Sequence, residues 1–331
     1  MTSSNTFLFY LRRGLPWLGS VVLVTWLISR HDLLEVWVAL SKADLGGLAV
    51  LWLVSIAVTF MVDTLGLRMA FSVFNGPIAW SKILKIKGVS YFLNIVNYAA
   101  ASGGIAWSVS KRIRVPLAEA ASTMLFLNVV DLLVLNALVS IGLGLEWFAA
   151  AQDTLLPAES IRPLLIANLC VYLLYFGSMT YWNLGWNYFI LGRLRRLAVF
   201  NAFRLATAQI HIALFGTRLV LLLVYIVMQY LALQMFVVDV PLGAVMIVNT
   251  VVTLVQTLPI SIAGFGTVQV AMLELYAPYG SDSAILAYST VSLLVFILVR
   301  ASIGYVCLAL DRNDVSNEGS GVTMGGSAGG R

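Results

Sequence analysis

Long apolar stretches alternate with short polar ones along almost the whole chain. Unbroken apolar runs cover residues 117–145, 163–191, 208–238 and 283–310. Each exceeds the ~20 residues that cross a hydrocarbon core of ~30 Å. With the shorter runs included, the predicted spans lie near 15–29, 45–70, 88–101, 117–145, 163–191, 208–238, 241–259 and 282–310. The pattern predicts an all-α, polytopic integral membrane protein. Helices satisfy their own backbone groups in lipid, whereas a closed barrel would show short alternating strands.

Two regions break this regularity. Residues 88–110 and 241–277 each hold an apolar stretch, a glycine break ("SGG" at 102–104, "AGFG" at 263–266) and a second stretch too short to cross alone. Lys82, Lys85 and Lys87 precede the first region and Lys111, Arg112 and Arg114 follow it. By the positive-inside rule both of its ends are cytoplasmic, which requires a re-entrant hairpin. The second region, bounded by Asp239 and Asp282, then enters from the outer face.

This map contains an internal repeat. Three spanning helices plus one re-entrant helical hairpin make a first repeat over about 10–150, and the same order recurs over about 160–312. An odd number of crossings gives the two halves opposite orientation. Inverted repeats with broken helices in matching places point to a transporter whose site lies between the halves. Residues 1–312 are thus expected to form one membrane domain, and the Gly/Ser-rich stretch 313–331 a disordered cytoplasmic tail. The map puts both termini in the cytoplasm and the protein in the cell's plasma membrane. Segments 32–44, 77–87 and 193–206 look amphipathic and are expected on the membrane surface.

Composition agrees. The chain is 60% hydrophobic and 11% charged, against roughly 25% charged in soluble proteins. A pI near 9.2 raises the question of nucleic acid, but the basic residues cluster beside membrane runs, the signature of topology. No nucleic-acid partner is expected. Cys170 and Cys307 fall inside spans and read as apolar fillers. There is no CxxC, HExxH or Walker A motif, so no cofactor, no metal and no enzymatic activity is expected.

The candidate chemistry lies within the membrane. Short helices begin at about Ile105 and Thr267, after Gly103–Gly104 and Gly264–Gly266, and a helix N-terminus attracts anions. Asp131, Arg218 and Arg300 lie roughly 15–21 Å from the cytoplasmic ends of their runs at ~1.5 Å per residue. Charges at that depth are functional candidates, either as an Asp131–Arg218 or Asp131–Arg300 pair or as contacts for an anionic ligand. Asp63 is expected to pair with Arg68, or to serve as a proton-relay carboxylate. Asn97, Gln256 and Gln269, near the hairpins, are candidate cavity groups.

The runs "NIVNYAAASGGIAWSVSKRIRVPLAEAASTMLFLNVVDLL" (94–133) and "LPISIAGFGTVQVAMLELYAPYGSDSAILAYSTVSLLVFILVRASIGY" (258–305) resemble the membrane domain of the lysylphosphatidylglycerol synthase/flippase family. Asn97, Gly103, Gly104, Lys111, Arg112 and Asp131 match the family's first run, with Ala or Ser at its prolyl position and Asn128 where it has an Arg. Pro259, Gly264, Gly266 and Arg300 match the second, with Val268 and Gln269 in place of an Arg-Glu pair. The resemblance implies movement of a lipid, classically an aminoacylated phosphatidylglycerol, between leaflets. It further implies a stand-alone translocator, since a short polar tail stands where the full-length synthases carry their aminoacyl-transferring domain, and the replaced residues imply an altered substrate.

The expected function is a flippase for an anionic or aminoacylated phospholipid or similar amphiphile, with the halves rocking about a headgroup held by Arg218 and Arg300. The substrate site would comprise Asn97, Gly103, Gly104, Asp131, Arg218, Gly264, Gly266, Gln269 and Arg300. Two other readings stand beside it: a proton-coupled secondary transporter of a small polar solute, and a non-transporting scaffold for a separately encoded lipid- or polysaccharide-modifying enzyme. The oligomeric state is open.

Overall fold

The computed structural model describes residues 18–96, 98–149, 158–185, 192–193, 195–257 and 264–324. Among them the secondary structure is helical throughout: α1 (Leu18–Arg30), α2 (Leu33–Lys42), α3 (Leu45–Phe74), α4 (Trp80–Val96), α5 (Tyr98–Ile113), α6 (Leu117–Ala149), α7 (Ala158–Leu184), α8 (Asn201–Leu205), α9 (Ala208–Met235), α10 (Leu242–Thr257), α11 (Thr267–Tyr276) and α12 (Asp282–Met324). Leu45–Phe74, Leu117–Glu146, Pro163–Leu184, Ala208–Met235 and Asp282–Asp311 are long and apolar enough to cross a membrane. The chain is an integral membrane protein.

Polar side chains set several boundaries. Asp32 and Asp44 open α2 and α3 by accepting from the Leu34 and Gly47 amides at 2.8 and 2.9 Å, where the dipole's positive end favours a carboxylate. Thr207 caps α9 through the Ile210 amide. The surface segment predicted over 32–44 is α2. Of the one predicted over 77–87, residues 80–87 form the first part of α4. The segment over 193–206 reduces to a 3-10 turn at Ala198–Phe200 followed by the short α8. The last helix continues through 313–324, where composition argues for a disordered tail, since no proline stops its backbone ladder.

Both interrupted regions are helix pairs, but only one breaks where its glycines predict. Gly264 and Gly266 have φ of +80° and +94°, left-handed backbone that glycine adopts freely, and α11 starts immediately after them. Gly103 and Gly104 lie inside α5 and do not break it. Gly104 instead lets α5 approach α4, since a Cβ there would strike the Leu93 side chain. Gly103 faces open space.

The hairpins pack across the chain's midpoint. In the first half α4 lies on α12, and in the second α10 lies on α6, while α3 runs against α9. Glycines make two of these seams. A Cβ on Gly88 would collide with Cys307, and one on Gly304 would sit 3.2 Å from the Gly88 carbonyl. Across α6 and α10, a Cβ on Gly142 would lie 2.8 Å from the Gly243 carbonyl, and one on Gly243 3.0 Å from that of Gly142. Close backbone approach through small residues is how membrane helices gain packing where lipid supplies no hydrophobic drive. The α6–α7 seam is polar: Asn168 donates to the backbone and side-chain oxygens of Asn136, each at 3.0 Å, and Ser140 donates to Asn168 at 2.9 Å.

Candidate functional site: a charged cavity between the hairpins

A cavity of about 460 Å³ lies among α3, α4, α5, α6, α9, α10, α11 and α12. Its charged lining residues are Asp63, Lys87, Asp131, Arg218 and Arg300. Each stands on a different helix, α3, α4, α6, α9 and α12, so the fold must close before they meet.

Arg218 is the centre of the cluster. Its Nη1 donates to Asp63 Oδ1 at 2.5 Å, and its Nε lies 3.3 Å from Asp131 Oδ1. Lys87 pairs with the other oxygen of Asp63. The Arg218 side chain is 5% exposed, and such burial is tolerable for a guanidinium only with carboxylates at hand. Asp63, Asp131, Lys87 and Arg218 thus form a set whose formal charges cancel.

Arg300 stands apart from that set. Among the described residues it makes no ion pair with a carboxylate. Its Nη2 donates to Tyr225 Oη at 2.6 Å, and its guanidinium lies 3.5 Å from the Phe296 ring centre and 4.8 Å from that of Tyr91. Its Nε is buried without a hydrogen-bond partner. Aromatic faces stabilise a cation without neutralising it, so Arg300 brings a net positive charge to the cavity.

Of the predicted site residues, Asp131, Arg218 and Arg300 come together at the cavity, and the first two pair as one of the expected alternatives. Asn97 lies outside the described residues. Gly103, Gly104, Gly264, Gly266 and Gln269 are not among the cavity's lining residues. Gly264 meets the Val268 and Gln256 side chains, and Gly266 lies against Leu23 of α1. Gln269 is buried and turns back to accept from the Gly266 amide at 2.8 Å, so the chain itself caps the amide expected to face an anion.

The expected Asp63–Arg68 pair does not form. Arg68 donates to the Ile78 carbonyl at 3.3 Å and faces the Trp80 ring, because its side chain turns to the end of α3 that holds the turn into α4. Lys87, read from sequence as a topology marker, is a wall of the site. Tyr225 and Phe296 were also missed, although helical spacing contains the signal. Tyr225 follows Arg218 by seven residues and Phe296 precedes Arg300 by four, so each shares a face with its arginine.

A family model described as the lysylphosphatidylglycerol synthase TM region matches residues 15–308. The chain belongs to that family. No curated protein and no solved structure matches it. That membership is consistent with a membrane lipid-related role. The matched span contains the whole charge cluster and both helix pairs.

Proposed function

We propose that the chain is a lipid translocator, which moves an anionic or aminoacylated phospholipid or a similar amphiphile between leaflets. Arg300 carries this reading: a cation with no carboxylate partner among the described residues, on the wall of a cavity large enough for a headgroup. The volume falls in the ~300–1,000 Å³ range of small-molecule sites. A lipid phosphate would meet the guanidinium of Arg300, which is half-buried on the cavity wall. The balanced set of Asp63, Asp131, Lys87 and Arg218 beside it offers both signs of charge to a zwitterionic or aminoacylated headgroup.

An inverted repeat is part of the same reading, and equal spacings support it. Asp63 and Arg218, which meet between α3 and α9, are 155 positions apart, and Gly88 and Gly243, which hold the hairpin seams, have the same separation. The α4–α12 and α10–α6 contacts then correspond. In the topology that goes with this reading, both termini and both ends of the first hairpin face the cytoplasm, with the chain in the plasma membrane. The substitution of Val268 and Gln269 for a charged pair supports a substrate other than the family's usual one.

The test is reconstitution into vesicles that contain a fluorescent phosphatidylglycerol in both leaflets, with external quencher. The expected result is faster loss of protected fluorescence with the protein than without it, and a drop of about tenfold or more with Arg300→Gln. No acceleration for phosphatidylglycerol, its lysyl ester or any other anionic or aminoacylated phospholipid would sink the proposal. Proton-coupled solute transport remains the second reading. It rests on Asp131, whose carboxylate meets Arg218 at 3.3 Å and lines the cavity.

A further inference from the structure

Most of the cavity's wall is closed. Among the described residues, every lining residue on α3, α4, α9, α11 and α12 is buried or half-buried, the charged ones included. The wall made by α5, α6 and α10 differs. There Tyr98, Leu132, Leu254 and Gln256 line the cavity and are also exposed. A residue that does both stands at a mouth, and since α5 and α10 each pack on α6, these three helices frame it.

The depth of the mouth decides what lies outside it. Leu132 is fifteen residues into α6, or about 22 Å, at the middle of the stretch Leu117–Glu146 that is long and apolar enough to cross a membrane. Leu254 is twelve residues into α10, or about 18 Å. An opening at mid-depth meets hydrocarbon rather than water. Its rim has matching chemistry: Leu132 is 49% and Leu254 43% exposed, and the exposed apolar rows continue on the same helix faces with Leu125 of α6 and Val251 of α10.

The charged interior begins one residue from this rim. Asp131 meets Arg218 at 3.3 Å, and its neighbour Leu132 is turned from it by about 100° around α6. One turn before Leu132, Asn128 accepts from the Tyr98 hydroxyl at 3.0 Å, which ties α5 to α6 beside the mouth. A water-soluble ion gains nothing from an apolar mouth in the middle of a bilayer. A phospholipid suits it, since its phosphate and its acyl chains are a single glycerol apart.

We infer that this mouth is a port for acyl chains. With a headgroup against Arg300 and the ionic set, the chains of the same phospholipid leave between α5 and α10, over Leu132 and Leu254, and stay in the bilayer. At mid-depth they can turn from one leaflet toward the other while the headgroup remains inside. This rests on the lipid reading above and narrows its ligand to a molecule that keeps its chains in hydrocarbon throughout.

Two measurements on the full chain, with Cys170 and Cys307 replaced and in vesicles of phosphatidylcholine and phosphatidylglycerol, test it. Nitroxides attached to Leu132→Cys and Leu254→Cys are expected to collide more with dissolved oxygen, which concentrates in hydrocarbon, than with a water-soluble nickel chelate. The reference is Leu173→Cys on α7, a residue 63% exposed in the middle of a spanning helix. Leu132→Trp and Leu254→Trp should slow transfer of fluorescent phosphatidylglycerol by about fivefold or more, the cost of forcing bulk into a passage that the chains must fill, whereas Leu173→Trp keeps the parent rate. Dominant collision with the nickel chelate at either mouth position overturns the inference, because the mouth then holds water. Parent rates in both tryptophan variants overturn it as well, and in either case a parent that transfers phosphatidylglycerol leaves the translocator reading standing. A parent that transfers no anionic or aminoacylated phospholipid removes both readings.

Discussion

Arg218 joins two helices that are far apart in sequence: it holds Asp63 of α3 at 2.5 Å and approaches Asp131 of α6 at 3.3 Å. Replacement by methionine would strand Asp131 and leave Asp63 with Lys87 alone. Loss of one partner from a buried ionic set costs about 3–5 kcal/mol. Arg218→Met is therefore expected to lower the thermal midpoint in detergent markedly. Asp131→Asn, which leaves the Asp63 contact intact, should lower it much less. Fluorescence-detected size-exclusion after a heating series reads both.

Tyr225 holds Arg300 through its hydroxyl. Tyr225→Phe keeps the ring but deletes that bond, worth about 0.5–1.5 kcal/mol. Lipid transfer should fall by only a few fold, against the larger loss with Arg300→Gln. An effect of Tyr225→Phe as large as that of Arg300→Gln would mean that the phenol, rather than the guanidinium, meets the ligand.

The glycines of the two hairpins should respond in opposite directions. Gly266→Ala puts a Cβ 2.6 Å from the Leu23 Cβ on backbone at φ +94°. Such strain costs about 1–3 kcal/mol. Gly103→Ala, in open space within a helix, should stabilise by about 0.5–1 kcal/mol. Urea- or heat-induced unfolding of the two variants beside the parent checks the sign of each.

Lys82 and Lys111 flank the first hairpin and are both exposed. With Cys170 and Cys307 replaced, single cysteines at these positions should react with an impermeant maleimide from the same side of the membrane. Labelling from opposite sides would turn the hairpin into a crossing and remove the basis for the inverted repeat.

Much of this architecture is legible in the sequence, for a physical reason: a run such as 208–238 can satisfy its backbone in lipid only as a helix. Gly264 and Gly266 are legible too, because the chain needs left-handed backbone there. Gly103 and Gly104 mislead, since a glycine that admits Leu93 and a glycine that breaks a helix look alike in one dimension. The ionic partners were harder still. Whether Asp63 meets Arg68, Lys87 or Arg218 depends on how α3, α4 and α9 are rotated about their axes. Helices apolar on nearly every face carry little information on that rotation. Lys87 was hidden by its own company, since beside Lys82 and Lys85 it reads as one more topology charge.

The seams made by Gly88 with α12 and by Gly243 with α6 interlock the two halves like clasped hands. Neither half can swing away as a block without unclasping a hairpin from the other half's last helix, so any alternation has to pass through these two glycine seams. A chain cut between residues 150 and 157 would yield two pieces that each lack a wall of the cavity and regain it only by finding one another.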